Sequence, residues 1–426
     1  MHPALQNFEL LSMISSYTHH GSLPALASTC RAFEHPALDV LWRDLQSMEP
    51  FVRCLPGNLI GIDRGHLALR KPLDANMWDT LYKYTNRVYS IRQSGNSDFI
   101  ACISPLMLPC PVIPTSLFPH LRKLTWHAEG TQNAAELLRM ALVPSMLFLD
   151  IRISSPSFAF LSVLSSIGTL CPHLQDMTVE ASSAARDLIR KASPFIAVPF
   201  FQLNNLHKLS IWDLGNQAIE HLMQLQNLQE LSLDLRASSA LGTRPRTQFP
   251  GFHGLKFLRL TVDKLEQASD FLSSLQVVRS KGIDVHLMSH TPRESGSTGL
   301  SQFFDILQEK IPTKLDDFTP LHAYRNLTTL SICRRMCIST SDEELCQLVR
   351  AWPKLEALSI NYYASPSTTL PTFHGLISVL CLCPALTLVS LVIDTTKLDG
   401  IDLQYPGGGI CNKNLKDLDL GNSSPH

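Results

Sequence analysis

Charge is scarce in this chain. Asp, Glu, Lys and Arg make up 17% of its 426 residues, against about 25% in an ordinary soluble domain. Neither sign dominates: 36 Lys and Arg face 37 Asp and Glu, a formal net charge of -1. That balance argues against a protein that works by coating nucleic acid or an anionic membrane. With 45% hydrophobic residues, the chain is too apolar for disorder over most of its length. Paired cysteines are missing too. None of the 11 Cys form a C-x-x-C pair. Cys333 and Cys337 stand four apart and Cys381 and Cys383 two apart, with no second pair at zinc-finger spacing. They read as small buried hydrophobes in a reducing compartment, not as a metal site. The N-terminus, MHPALQNFELLSM, lacks a basic region before an apolar run and carries Glu9, so it is not a secretory signal. The expected location is intracellular, in cytoplasm or nucleus.

Site motifs are absent as well. YPGGGICNKN (405–414) is glycine-rich but lacks Gly-Lys-Ser/Thr, so it reads as a loop and not as a phosphate cradle. His19–His20 reads as a solvated turn. Cys337 follows Arg334 and Arg335, which favour a thiolate, but its place after a strand suits packing. The sequons at Asn326 and Asn422 read as chance. No convergent nucleophile–base set is visible, no cofactor is called for, and a catalytic repeat protein is remote. Within the uncharged stretch Ala357–Ile393, the dense part 376–393 is long enough to raise a membrane span. Pro384 interrupts it, and its second half follows a pattern found elsewhere in polar surroundings. A buried helix followed by a buried strand fits better.

What the chain has in quantity is leucine, 69 residues. At this length a repeat array or several domains are expected, and a segment of form L-x-x-L-x-L recurs. Its copies are LRKLTW (121–126), MLFLDI (146–151), LQDMTV (174–179), LHKLSI (206–211), LQELSL (228–233), LKFLRL (255–260), LTTLSI (327–332), LEALSI (355–360), LTLVSL (386–391) and LKDLDL (415–420). The long gap after the sixth holds a degenerate strand, IDVHLM (283–288), and a polar insertion near 289–299. Period 2 makes each copy a strand with its fourth and sixth residues inward. Four copies follow an apolar residue and a proline, as at FPHL (118–121). Proline has no N–H to give and suits the position just before a strand. Helical spacing separates the strands at 133–142, 215–226, 263–282 (with Gly282 as the stop) and 339–352. In the last, Ser341 and Glu344 form a capping box. Units of about 27 residues cannot bury their own faces and must stack.

This pattern resembles leucine-rich-repeat proteins of the long, helix-containing type. It implies an α/β solenoid, an irregular horseshoe with parallel strands inside and helices outside, over 117–426. The mid-strand residues, mostly Ser or Thr, are expected to face solvent on the concave side. Flanking residues Lys123, Lys208, Trp212, Glu230, Asp234 and Phe257, with mid-strand Arg259, are the candidates for binding a protein substrate. Trp212 and Phe257 stand out as apolar where the period predicts exposure. The final strand, 415–420, is followed only by GNSSPH, so an open, charge-protected edge or a truncated array is expected there.

Residues 1–50 differ. Helices are expected at 4–17 and over 22–45, the latter broken at His35–Pro36. Leu23, Leu26, Ala27, Cys30, Arg31, Phe33, Leu41 and Trp42 match, in order, the later part of an F-box, and Glu9, Leu10 and Leu11 match its opening. Asn7-Phe8 stands where the family carries a helix-starting proline. The chain is similar to F-box/leucine-rich-repeat proteins abundant in fungi, down to RCLP at 53–56. The resemblance implies a three-helix, all-α module that docks to a Skp-type adaptor, and through it a cullin. The contacts it implies are Phe8, Glu9, Leu11, Ile14, Leu23, Leu26, Cys30, Phe33 and Trp42. It implies the substrate-recruiting subunit of a cullin-RING (SCF-type) ubiquitin ligase, with no catalysis of its own. The alternative is a non-degradative interaction scaffold. Between module and repeats, 51–116 is expected to connect and cap, with a helix over 76–87 and a short strand at 88–91.

Overall fold

A computed structural model describes residues 7–63, 66–71, 73–94, 116–182, 185–237, 249–252, 254–275, 280–288, 327–334, 340–360, 369–398, 400, 412–421 and 423. The insertion at 289–299, the proline-rich 104–115, the glycine-rich 405–411, Cys337 and both sequon asparagines lie outside them. The chain forms two units, Met1–Leu206 and His207–His426.

The first unit opens with α1 (Phe8–Tyr17), α2 (Leu23–Thr29) and α3 (Arg31–Arg43). It continues through β1 (Asp44–Leu45), α4 (Glu49–Arg53), β2 (Ile60–Asp63), β3 (His66–Leu69), α5 (Ala75–Thr85) and β4 (Ser90–Ser94). Then follow β5 (Lys123–Gly130), α6 (Gln132–Ala141), β6 (Phe148–Pro156), α7 (Phe158–Leu164), α8 (Ile167–Leu170), β7 (Asp176–Ala181) and α9 (Arg186–Phe200). Strands β2 and β3 form an antiparallel hairpin. The others pair in parallel in the order β1-β4-β5-β6-β7.

The second unit contains β8 (Lys208–Trp212), α10 (Asn216–Gln224), β9 (Glu230–Asp234), β10 (Phe257–Val262), α11 (Leu265–Ser273) and β11 (Gly282–Leu287). It ends with β12 (Thr329–Arg334), α12 (Asp342–Arg350), β13 (Ala357–Ile360), α13 (Phe373–Leu382), β14 (Leu388–Leu391) and β15 (Asp417–Asp419). Among the described residues, its eight strands pair in parallel in chain order.

Each L-x-x-L-x-L copy supplies one strand, beginning at its third residue. The first residue is buried in nine of the ten, from Leu121 to Leu386, and the fourth and sixth are buried in the same nine. Burying one such side chain is worth roughly 1.5–3 kcal/mol, so the ladder dominates the packing. The backbone repeats as strictly. The carbonyl just before each strand accepts two N–H groups from the next: Arg122 and Lys123 donate to Tyr89, Leu147 and Phe148 to Arg122, and Gln229 and Glu230 to His207. That shared acceptor fixes the register, since a one-residue slip would turn every leucine outward. Parallel strands on a periodic leucine ladder, joined by helices, make this an α/β leucine-rich-repeat solenoid.

The helices follow their spacing. In α6, Leu137, Leu138 and Ala141 are buried, as are Ile219, Leu222 and Met223 in α10. The box at α12 forms: Ser341 Oγ accepts the Glu344 N–H at 3.2 Å, and Glu344 Oε2 accepts the Ser341 N–H at 2.8 Å. Three expectations need correction. The chain breaks at Cys30, whose backbone is extended (φ -161, ψ 160), while Pro36 lies inside α3. Helix α11 ends at Ser273, and Ser274 Oγ closes it by donating to the Phe271 carbonyl at 2.6 Å. Gly282 opens β11 instead, where a Cβ would lie 2.6 Å from Cδ1 of Phe257. Finally, the mid-strand residues Thr125, Ser359 and Ser390 are buried. They are short and lie in register between neighbouring strands, so they do not reach past the sheet surface.

Candidate functional site

Helix α1 starts on Asn7, whose Oδ1 accepts the backbone N–H of Glu9 at 2.9 Å. Asparagine thus takes over the start that a proline would otherwise give. At about 100° per residue, Leu11 and Ser15 fall on one face, and both are buried where α1 packs on α3. Leu10, Met13, Ile14 and Tyr17 fall on the opposite face, at i, i+3, i+4 and i+7, and all are exposed, Tyr17 at 87%. Phe8, at the helix start, is 60% exposed. This exposed apolar stripe makes the outer face of α1 a candidate docking surface.

The sequence-derived contacts therefore divide. Phe8, Glu9 and Ile14 are exposed, and Leu26, Cys30 and Phe33 are half-buried. Leu11, Leu23 and Trp42 are buried and cannot touch a partner directly. Trp42 is 7% exposed, stacks on Tyr84 at 4.5 Å and meets Phe51 at 5.4 Å. These three hold the helices together and onto the region that follows. Glu34–Lys83 at 2.9 Å and the Arg87–Asp39 pair add to that hold. Burial is the main influence on Arg87 and lowers its pKa, while its contacts with the carboxylate of Asp39 and the carbonyls of His35 and Lys83 keep it in place. Leu10, Met13 and Tyr17 were not among the contacts named from sequence, although their helical spacing carries the signal.

The second candidate surface is the sheet face turned away from the leucines. In the second unit, Lys208, Glu230 and Phe257 lie in one register row. Lys208 Nζ is 2.6 Å from Glu230 Oε2. Arg259 Nε is 2.9 Å from Asp284 Oδ2, which His286 Nε2 also meets at 2.9 Å. Burial raises the Asp284 pKa, but the His286 and Arg259 contacts outweigh it and hold the carboxyl below its usual range. Asp234 pairs with Arg236 at 2.5 Å. Phe257 is 48% exposed, lying over the space that Gly282 leaves open. Trp212 is the correction: at 3% exposure it is enclosed with Asp213 and Leu214 as the chain turns toward α10, so it offers no binding surface. Lys123 belongs to the first unit, with its ammonium 4.7 Å from the Phe148 ring centroid. Asp284 and His286 went unnoticed in sequence because their strand is degenerate.

Among the described residues, no group of three or more His, Cys, Asp or Glu is arranged to hold a metal ion, and no helix is long and apolar enough to cross a membrane.

No protein-family model and no curated protein matches the chain. Among solved structures, it is similar to a Bacteroides fragilis protein at 10% identity and TM-score 0.32, covering 52% of this chain and spanning 60% of that one. It is similar to the leucine-rich repeat-containing protein LegL7 from Legionella pneumophila at 13% identity and TM-score 0.36, covering 75% of this chain and 89% of that one. It is also similar to a chain of the yeast Rad7 and Elc1 complex at 15% identity and TM-score 0.29, covering 61% and 72%.

Proposed function

We propose that the chain is a substrate receptor of a cullin-RING (SCF-type) ubiquitin ligase. The N-terminal helices dock a Skp-type adaptor, which carries the cullin, and the repeat sheet holds a protein substrate. The proposed division is 1–50 for docking, 51–116 for connection and capping, and 117–426 for recognition. The chain positions substrate and leaves ubiquitin transfer to other subunits, inside the cell. The observation that carries the reading is the exposed Leu10–Met13–Ile14–Tyr17 stripe on α1, set beside the F-box-like run from Leu23 to Trp42. An uncovered apolar stripe favours a partner that buries it.

The test is co-purification of the full chain with a Skp-type adaptor. Met13→Asp combined with Tyr17→Asp should abolish capture and leave the circular dichroism spectrum unchanged. Capture by the folded double variant at the wild-type level would refute adaptor docking through α1. If the adaptor binds but no bound partner is turned over faster, the alternative of a non-degradative scaffold stands instead.

A further inference from the structure

One patch of the first unit gathers cations around a single exposed aromatic ring. Tyr89 precedes β4 and is exposed. The Arg43 guanidinium carbon lies 5.6 Å from its ring centroid and that of Arg122 lies 5.7 Å away. The His120 ring stacks at 6.1 Å. The backbone locks these positions one rung apart: Tyr89 N–H donates to the Arg43 carbonyl at 2.9 Å, and Arg122 N–H to the Tyr89 carbonyl at 2.8 Å. Lys123 and Arg92 follow on the adjoining strands, both exposed. Among the described residues, none of these four cations has a carboxylate within ion-pair distance. Asp44 and Asp176 stand at the two ends of the row that holds Lys123.

Elsewhere three strand cations are neutralised by a carboxylate, whereas Lys256 and Lys281, each just before a strand, are exposed without one among the described residues. Arg152 meets Asp150 at 3.4 Å and Glu180 at 3.7 Å, Lys208 meets Glu230, and Arg259 meets Asp284. Gathering unpaired like charges in a chain of net charge -1 is unfavourable unless something neutralises them. The rings hold the guanidinium groups by cation–π contact, and a guanidinium over a ring keeps N–H edges free for a carboxylate.

We infer that this rim binds an acidic peptide segment, with Asp or Glu side chains supplying the carboxylates that the cluster lacks. Three strands spaced ~4.8 Å apart make the patch about 10 Å across, room for about three extended residues. That is short for a track along nucleic acid, which neutralises many phosphates in succession. The inference deepens the proposed substrate-holding role of the repeats but does not depend on adaptor docking.

The test is fluorescence anisotropy on the full chain with a labelled Asp/Glu-rich peptide, a neutral Asn/Gln counterpart, a phosphoserine counterpart and a single-stranded oligonucleotide. The acidic peptide should bind saturably, more weakly as salt rises, and the neutral one should not bind. Arg43→Ser with Arg122→Ser should weaken binding at least about tenfold. Arg92→Ser with Lys123→Ser is the second pair, both residues being exposed and easily tolerated. Arg190→Ser on α9 should change nothing. Absence of saturable acidic-peptide binding, or wild-type affinity in the folded variants, would overturn the inference. So would a preference of more than about tenfold for the phosphoserine peptide or the oligonucleotide. Met13→Asp/Tyr17→Asp should keep peptide binding, so loss of adaptor capture and loss of peptide binding fail separately.

Discussion

Trp42 separates two accounts of the N-terminal helices. As an adaptor contact, its removal would cost binding and little stability. As a core residue, its removal would cost stability first. The structure places it at 7% exposure, stacked on Tyr84 and touching Phe51, which in turn meets Phe118 at 5.3 Å. Trp42→Ala therefore opens a cavity where α3, α4 and α5 meet. Large aromatic-to-alanine changes in cores cost about 3–5 kcal/mol, a large share of the ~5–15 kcal/mol that holds a typical domain. For a unit of this size each kcal/mol moves the melting temperature by about 2–4 °C, so a fall of about 10 °C is expected in a circular-dichroism melt. Tyr17→Ala is the counterpart: at 87% exposure it should shift stability by no more than about 0.5 kcal/mol while weakening adaptor capture. A Trp42→Ala protein with unchanged melting and lost capture would refute the packing argument.

The second unit offers further checks. Burial pushes the Asp284 carboxyl up, but His286 and Arg259 hold it below its usual range. A folded value below the unfolded one adds stability that is present above the unfolded value and lost as pH falls through the folded one. Acid unfolding should therefore be shallower in Asp284→Asn, and an unchanged slope would count against the triad. Ser341→Ala removes the α12 cap and should cost about 1 kcal/mol by urea unfolding; no measurable cost would show the box idle. Burial pushes the Cys171 thiol up to about 12 and Cys383 to about 11, while Cys381 is exposed. Iodoacetamide on the native protein should label Cys381 and spare the other two, as mass spectrometry would show. Strand β15 is exposed along its length and pairs with β14, so hydrogen exchange should open 417–419 sooner than β9 or β10. Equal protection would refute that.

The repeat was legible because one physical cause acts at every copy. A leucine ladder of period 2 allows one face inward, and the shared carbonyl before each strand fixes where the strand begins. Hence even the weak copy at 283–288 takes its place as β11. The errors lie where a local signal competes with tertiary context. Pro36 costs one helical hydrogen bond, yet α3 continues through it because Trp42 and Ala37 are buried on its inner side. Gly282 reads as a helix stop by type, but its position is set by the Phe257 ring that lies over it.

The candidate site was legible only in part, for a related reason. Periodicity tells which way a residue points, but not whether a neighbour covers it. Trp212 and Phe257 have the same apolar character on adjoining parts of one face, and the period treats them alike. One is enclosed by the turn after β8 and the other lies open above a glycine. Likewise, the motif residues Leu11, Leu23 and Trp42 carry the resemblance because they build the helical fold. The apolar surface they leave exposed falls on Leu10, Met13, Ile14 and Tyr17, of which only Ile14 was among the contacts named from sequence. Motif positions that build a fold are read from residue type, whereas contact positions emerge only after the fold has decided which faces are used up. The charge cluster around Tyr89 shows this most plainly: Arg43, Tyr89 and Arg122 are far apart in sequence, and only the parallel rungs of the sheet set them side by side.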